Sequence, residues 1–97
     1  TYGGLADRAA RLAAALRQHG LQPGERVALF MRNHPAYLEI LYGCWWAGLA
    51  VVPMNAKLHL REAQWIVEHS QARWAFVTPD VGSELIALDR TVDVTAR

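Results

Sequence analysis

From Ile40 to Met54 the chain carries no charged side chain, and this run limits what the chain can fold into more than any other stretch. It reads as the end of a buried helix, a glycine stop at Gly48, and a short strand from Leu49 to Val52. Pro53 lacks the N–H that a central sheet ladder needs, so it should close that strand. The run is shorter than the ~20 apolar residues that span a bilayer, and Gly48 and Pro53 interrupt it, so no transmembrane segment is expected.

The segments around it alternate helix and strand. Thr1-Tyr2-Gly3-Gly4 is expected as a flexible or extended lead-in. A first helix follows from about Leu5 to His19, with Leu5, Ala9, Leu12, Ala13 and Leu16 at helical spacing and Gly20 as its C-cap. Pro23-Gly24 marks a turn. Arg26 to Met31 is a strand whose near-continuous apolar character suits burial on both faces, as in a parallel sheet. Asn33 or His34 would cap the second helix, about Pro35 to Ala47, whose apolar residues cover most of its circumference and whose one charge is Glu39. A helix of that kind is buried on more than one side. A third helix is expected from about Leu60 to His69 and a third strand from Arg73 to Thr78. Val81 to Leu88 is expected as a short helix, and Asp89 to Arg97 as the start of a further strand. Strands joined through helices imply an α/β fold built on a partial parallel sheet of about three strands with flanking helices.

Composition narrows the function classes. Nine Arg and one Lys against nine acids leave a net charge of +1, which is no electrostatic footprint for nucleic acid. The Arg8, Arg11 and Arg17 set reads as a solvated helix face. One cysteine permits no internal disulfide, the four histidines show no metal-ligand spacing, and a reducing, cytoplasmic setting fits. Counted with glycine and without tyrosine, apolar residues make up roughly 57% of the chain, against a usual ~45–50%. So small a unit cannot easily hide that much apolar area, so either a patch is exposed or another part of a larger protein covers it.

In open parallel sheets, ligands sit beyond the carboxyl ends of the strands. The loops Arg32-Asn33-His34, Met54 to Lys57 and Thr78-Pro79-Asp80 fall there, and Asn33, His34 and Asn55 are the ligand-binding candidates. Capping and turn roles also account for these residue types. No catalytic residue and no metal site emerges. There is no phosphate-cradling GxGxxG or GxxxxGK[ST] loop and no GxSxG elbow. Cys44 lies in the most apolar helix, where burial blunts a thiol, and the adjacent Trp45 and Trp46 read as packing residues.

Several segments, in order, resemble the opening of adenylate-forming enzymes, the superfamily of acyl-CoA synthetases, peptide-synthetase adenylation domains and luciferases. They are Thr1-Tyr2-x-x-Leu5, Asp7 to Ala13, Gly20-Leu21-Gln22-Pro23-Gly24-Glu25-Arg26-Val27-Ala28, Arg32-Asn33-His34-Pro35, Ala47 to Asn55, and Leu58 through Glu62 to Glu68-His69-Ser70. Asn55 beyond Pro53, with Leu58, favours the acyl-CoA synthetase branch. Gly4, Trp46 and His59 depart from the family's pattern, and at His59 a capping Ser or Thr is usual.

The resemblance implies that residues 1–97 are an incomplete N-terminal portion of an AMP-binding domain, a piece of a larger N-terminal domain. The full-length enzyme would use ATP, Mg²⁺ and CoA to adenylate a carboxylic acid, fatty or similarly apolar, and pass it to a thioester. The family's phosphate loop, its Mg²⁺- and adenine-contacting region and its catalytic lysine have no counterpart motif here, so no cofactor is expected to bind this segment alone. Lys57 does not match that lysine's motif. The partner of the segment would be the remainder of the enzyme. The alternative is a free-standing α/β binding or interaction module derived from the family.

Overall fold

The fold is organised by β1 (Arg26–Phe30), which pairs in parallel with a strand on each side. The computed structural model describes residues 2–32, 34–82 and 84–94. Around β1 lie α1 (Tyr2–Gln18), α2 (Ala36–Trp46), β2 (Ala50–Pro53), α3 (Leu60–Ser70), β3 (Trp74–Val77), α4 (Pro79–Gly82) and β4 (Arg90–Asp93). The sheet has four parallel strands in the order β2-β1-β3-β4, the fourth being the further strand expected after Asp89. Val27 lies opposite Val51 on one side and Trp74 on the other.

Alternation along the strands builds two cores. Val27, Leu29, Trp74 and Phe76 point to the face covered by α1 and α2, where they meet Leu16, Ile40 and Cys44. Ala28, Phe30, Ala75 and Val77 point to the opposite face, under Ala63 and Val67 of α3. The run from Val27 to Phe30 is fully buried, as a strand covered on both faces must be. Pro53 ends β2, and β2 is an edge strand, so its missing N–H costs no ladder bond.

The helix ends follow from local chemistry. Gly48 takes φ +79° after α2, its N–H reaches the Trp45 carbonyl at 2.9 Å and the Leu49 N–H reaches the Cys44 carbonyl at 2.9 Å. That pattern closes a helix on a left-handed residue. At the start of α3, the Arg61 N–H donates to His59 Nδ1 at 3.2 Å, so the ring nitrogen does the capping that a Ser or Thr hydroxyl does elsewhere. Gly43 sits where α2 crosses α1, and a Cβ there would lie 2.8 Å from Leu12 Cδ2.

Two expectations are corrected. The chain is already helical at Tyr2, not an extended lead-in, because packing of the α1 face outweighs the low helix propensity of Gly3 and Gly4. The helix expected from Val81 to Leu88 is cut short: α4 ends at Gly82, Ser83 lies outside the described residues, and residues 84–88 are not helical. Side chains take the backbone groups beyond it. Thr91 Oγ1 donates to the Leu85 carbonyl at 2.8 Å and accepts from the Ala87 N–H at 3.1 Å, while the Gln64 amide both donates to and accepts from the Ile86 backbone at 2.8 Å. With those groups engaged, no helical ladder is needed.

The amino ends of the strands are tied by charge. Arg73, just before β3, pairs with Glu25 at 2.7 Å and with Asp89, and Arg26 Nε donates to the Ser70 carbonyl. Hydrogen bonds from Arg73 and from the Gln22 N–H hold the Glu25 carboxyl below its ordinary 4.5.

Replacing Gly43 with Ala is expected to destabilise the chain by about 1 kcal/mol, the cost of overpacking against Leu12 exceeding the helix propensity gained. A lower urea midpoint with unchanged slope would be the sign. A carboxyl with a lowered folded value binds its proton more weakly when folded, so the contribution of Glu25 is complete above pH 4.5 and is lost as pH falls through that lower value. Stability measured across this acid window should fall less steeply for Glu25→Gln than for the parent chain. Equal slopes would contradict the role given to the Arg73 contact.

Candidate functional site

The strand order fixes where a site can form. From β1 the chain crosses to β2 through α2 on one face of the sheet, then returns past β1 to β3 through α3 on the other. Between the carboxyl ends of β1 and β3 the connections therefore diverge, and this is the switch point, the place at which open α/β sheets take ligands.

Three side chains meet there. Thr78, directly after β3, is the buried polar residue among those described, and its Oγ1 accepts the Arg32 N–H at 3.0 Å. Arg32, just after β1, pairs with Asp80, just after β3, at 2.6 Å. Both side chains of this pair are about half exposed or more, so its net worth is at most ~1 kcal/mol.

The residues expected from the sequence are placed as follows. His34 lies at the exit from β1, where its Nδ1 accepts the Ala36 N–H and its carbonyl accepts the Tyr37 N–H, each at 3.0 Å, so it does cap the start of α2. Asn55 lies at the exit from β2, where its Oδ1 accepts the Lys57 N–H at 2.9 Å and its carbonyl the Leu58 N–H at 3.0 Å, a side-chain-closed turn. Asn33 lies outside the described residues. His34 and Asn55 thus shape the loops that leave β1 and β2, respectively. Arg32, Thr78 and Asp80 were the residues not singled out. Their signal was strand-end position alone, and only the pairing of β1 with β3 brings them together.

Cys44 is fully buried and burial pushes its thiol up to about 12, so it is inert as a nucleophile. The Ser70 hydroxyl donates to the Val67 carbonyl within its own helix. Among the described residues, no three His, Cys, Asp or Glu side chains gather as a metal-binding set. No described helix is long and apolar enough to cross a membrane. A groove of about 860 Å³ lies elsewhere, between the outer face of α3 and residues 84–88.

The exposed surface is unusual in another way. Trp45 and Trp46 are 56% and 54% exposed, with Leu38 and Tyr42 beside them. The sequence suggested that they serve as packing residues, yet the described chain leaves their side of α2 uncovered. They follow Gly43 and Cys44, which take buried positions on the inner side of that helix.

Comparison with known proteins supplies the setting. The chain is 43% identical over 88 residues to a feruloyl-CoA synthase of an Amycolatopsis species, covering 91% of this chain and 18% of that enzyme. It is 38% identical over 82 residues to the fatty acid–[acyl-carrier-protein] ligase ScoC of Streptomyces coeruleorubidus, covering 84% of this chain and 16% of that one. Among solved structures, a benzoate CoA ligase from Burkholderia xenovorans LB400 superposes with a TM-score of 0.79 at 34% identity, over 84% of this chain and 17% of that one. The N-terminal subdomain of Klebsiella oxytoca NpsA gives 0.82 at 24% identity, over 98% of this chain and 25% of that one, a likeness of fold. The chain thus spans less than a fifth of the length of the curated relatives named here. A family model described as AMP-binding enzyme matches residues 1–96, and the chain belongs to that family of adenylate-forming enzymes.

Proposed function

We propose that residues 1–97 form the opening part of the large N-terminal domain of an acyl-CoA synthetase, with a scaffolding role rather than a catalytic one. The observation that carries this is the family match over almost the whole chain, combined with coverage of under a fifth of the CoA-ligase relatives. The relatives named above are whole ligases, and this gives the free-standing module no support.

In this reading the complete enzyme adenylates an apolar carboxylic acid with ATP and Mg²⁺ in the cytoplasm, then transfers the acyl group to CoA. The feruloyl and benzoate ligases among the relatives favour an aromatic acid, and the fatty acid ligase keeps fatty acids within the class. Other parts of the enzyme hold the nucleotide and the reacting carboxyl. The carboxyl ends of the strands, where His34 follows β1 and Asn55 follows β2, form the ligand-facing side of the domain in this reading, and Asn33 is a further candidate by its place in the sequence.

The test is carboxylate-dependent ATP–pyrophosphate exchange by a longer protein that contains this sequence, assayed with ferulate, benzoate and a medium-chain fatty acid. Exchange with at least one of them is expected, and none from the 97 residues alone. Exchange catalysed by the 97 residues alone would overturn the scaffolding role.

A further inference from the structure

Helix α2 carries two apolar stripes. Ile40, Gly43, Cys44 and Ala47 are spaced to share one face, and all four are buried against α1 and the sheet. Leu38, Tyr42, Trp45 and Trp46 also sit at helical spacing, on a face about half a turn away at 100° per residue, and all are exposed. The Tyr42 and Trp45 rings contact each other with centroids 5.7 Å apart, and the side chains border an apolar groove with Leu5 and Ala9 of α1.

This outer face is held in shape. Arg8 pairs with Glu39 at 2.7 Å, and Arg17 donates to the Trp46 carbonyl at 2.8 Å, so both ends of α2 are clamped to α1. The first of these contacts also engages the one charge on α2. The opposite side of the molecule differs. Trp65 on α3 is 62% exposed, and Ile86 and Leu88 nearby are exposed too, but there the apolar side chains are interspersed with the charged Arg61, Glu62, Glu68 and Glu84, and Trp65 stacks on His69 at 4.7 Å.

We infer that the outer stripe of α2 is an internal seam, on which an uncharged, apolar layer from the remainder of the same N-terminal domain packs, while the α3 side faces solvent. The inference rests on the proposed function. The occupant follows from size: in the NpsA N-terminal subdomain, a fold like this one accounts for a quarter of a single subdomain. The remaining three quarters must pack somewhere on such a unit, and the stripe is a rigid apolar face with almost no charge.

Hydroxyl-radical footprinting of the longer protein, read by mass spectrometry at each tryptophan, tests this. Trp45 and Trp46 should be oxidised about tenfold more slowly than their half-exposed state would give, since a covered core position keeps only a few per cent of its surface. Trp65 should be oxidised at the rate of an exposed ring. Oxidation of Trp45 and Trp46 as fast as Trp65 would overturn the seam. So would protection that disappears on dilution, because the cover would then be a second copy of the protein. ATP–pyrophosphate exchange measured on the same sample separates the two readings: loss of exchange with the protection intact rejects the synthetase function alone.

Discussion

The double-sided burial of β1 is the constraint on which the rest of the structure depends. A strand with no exposed face needs a hydrogen-bonded neighbour on each edge and a helical layer above and below. Here β2 and β3 supply the edges, α1 and α2 one layer, and α3 the other. Because Ala28, Leu29 and Phe30 are all inaccessible, any shift of register by one residue would exchange the two cores. The alternation of bulk along β1 and β3 therefore fixes the register and, with it, the positions of the loops at both ends of the sheet.

Those two ends do different work. The amino ends are tied by Arg73 to Glu25 and Asp89 and by Arg26 to the end of α3, contacts that join neighbouring strands and leave no opening. The carboxyl ends of β1 and β3 are joined by Thr78, Arg32 and Asp80. This polarity is what a parallel sheet with crossovers on both faces produces.

Much of this was legible in the sequence. The long uncharged run, Gly48 and Pro53 located α2, its stop and β2, and the apolar run from Val27 to Met31 located the central strand. What escaped depended on contacts between distant residues. Gly3 and Gly4 are poor helix formers, and only the packing of α1 makes them helical. Residues 85–87 looked helical in isolation, but Thr91 and Gln64 take their backbone groups. His34 and Asn55 could be chosen from loop position. Arg32, Thr78 and Asp80 lie in loops located the same way, but no spacing in the chain records that β1 and β3 are neighbours and so bring these three into contact.

The all-round apolar character of α2 now has a physical reading: one stripe packs on this chain's own sheet and the other waits for the rest of the domain. The central claim is that these residues build a frame and leave nucleotide binding to other parts of the enzyme. Titration calorimetry of the 97-residue chain with ATP and Mg²⁺ tests it most directly. The account predicts no saturable heat of binding. A saturable one-to-one isotherm would contradict it and place a nucleotide site within these residues.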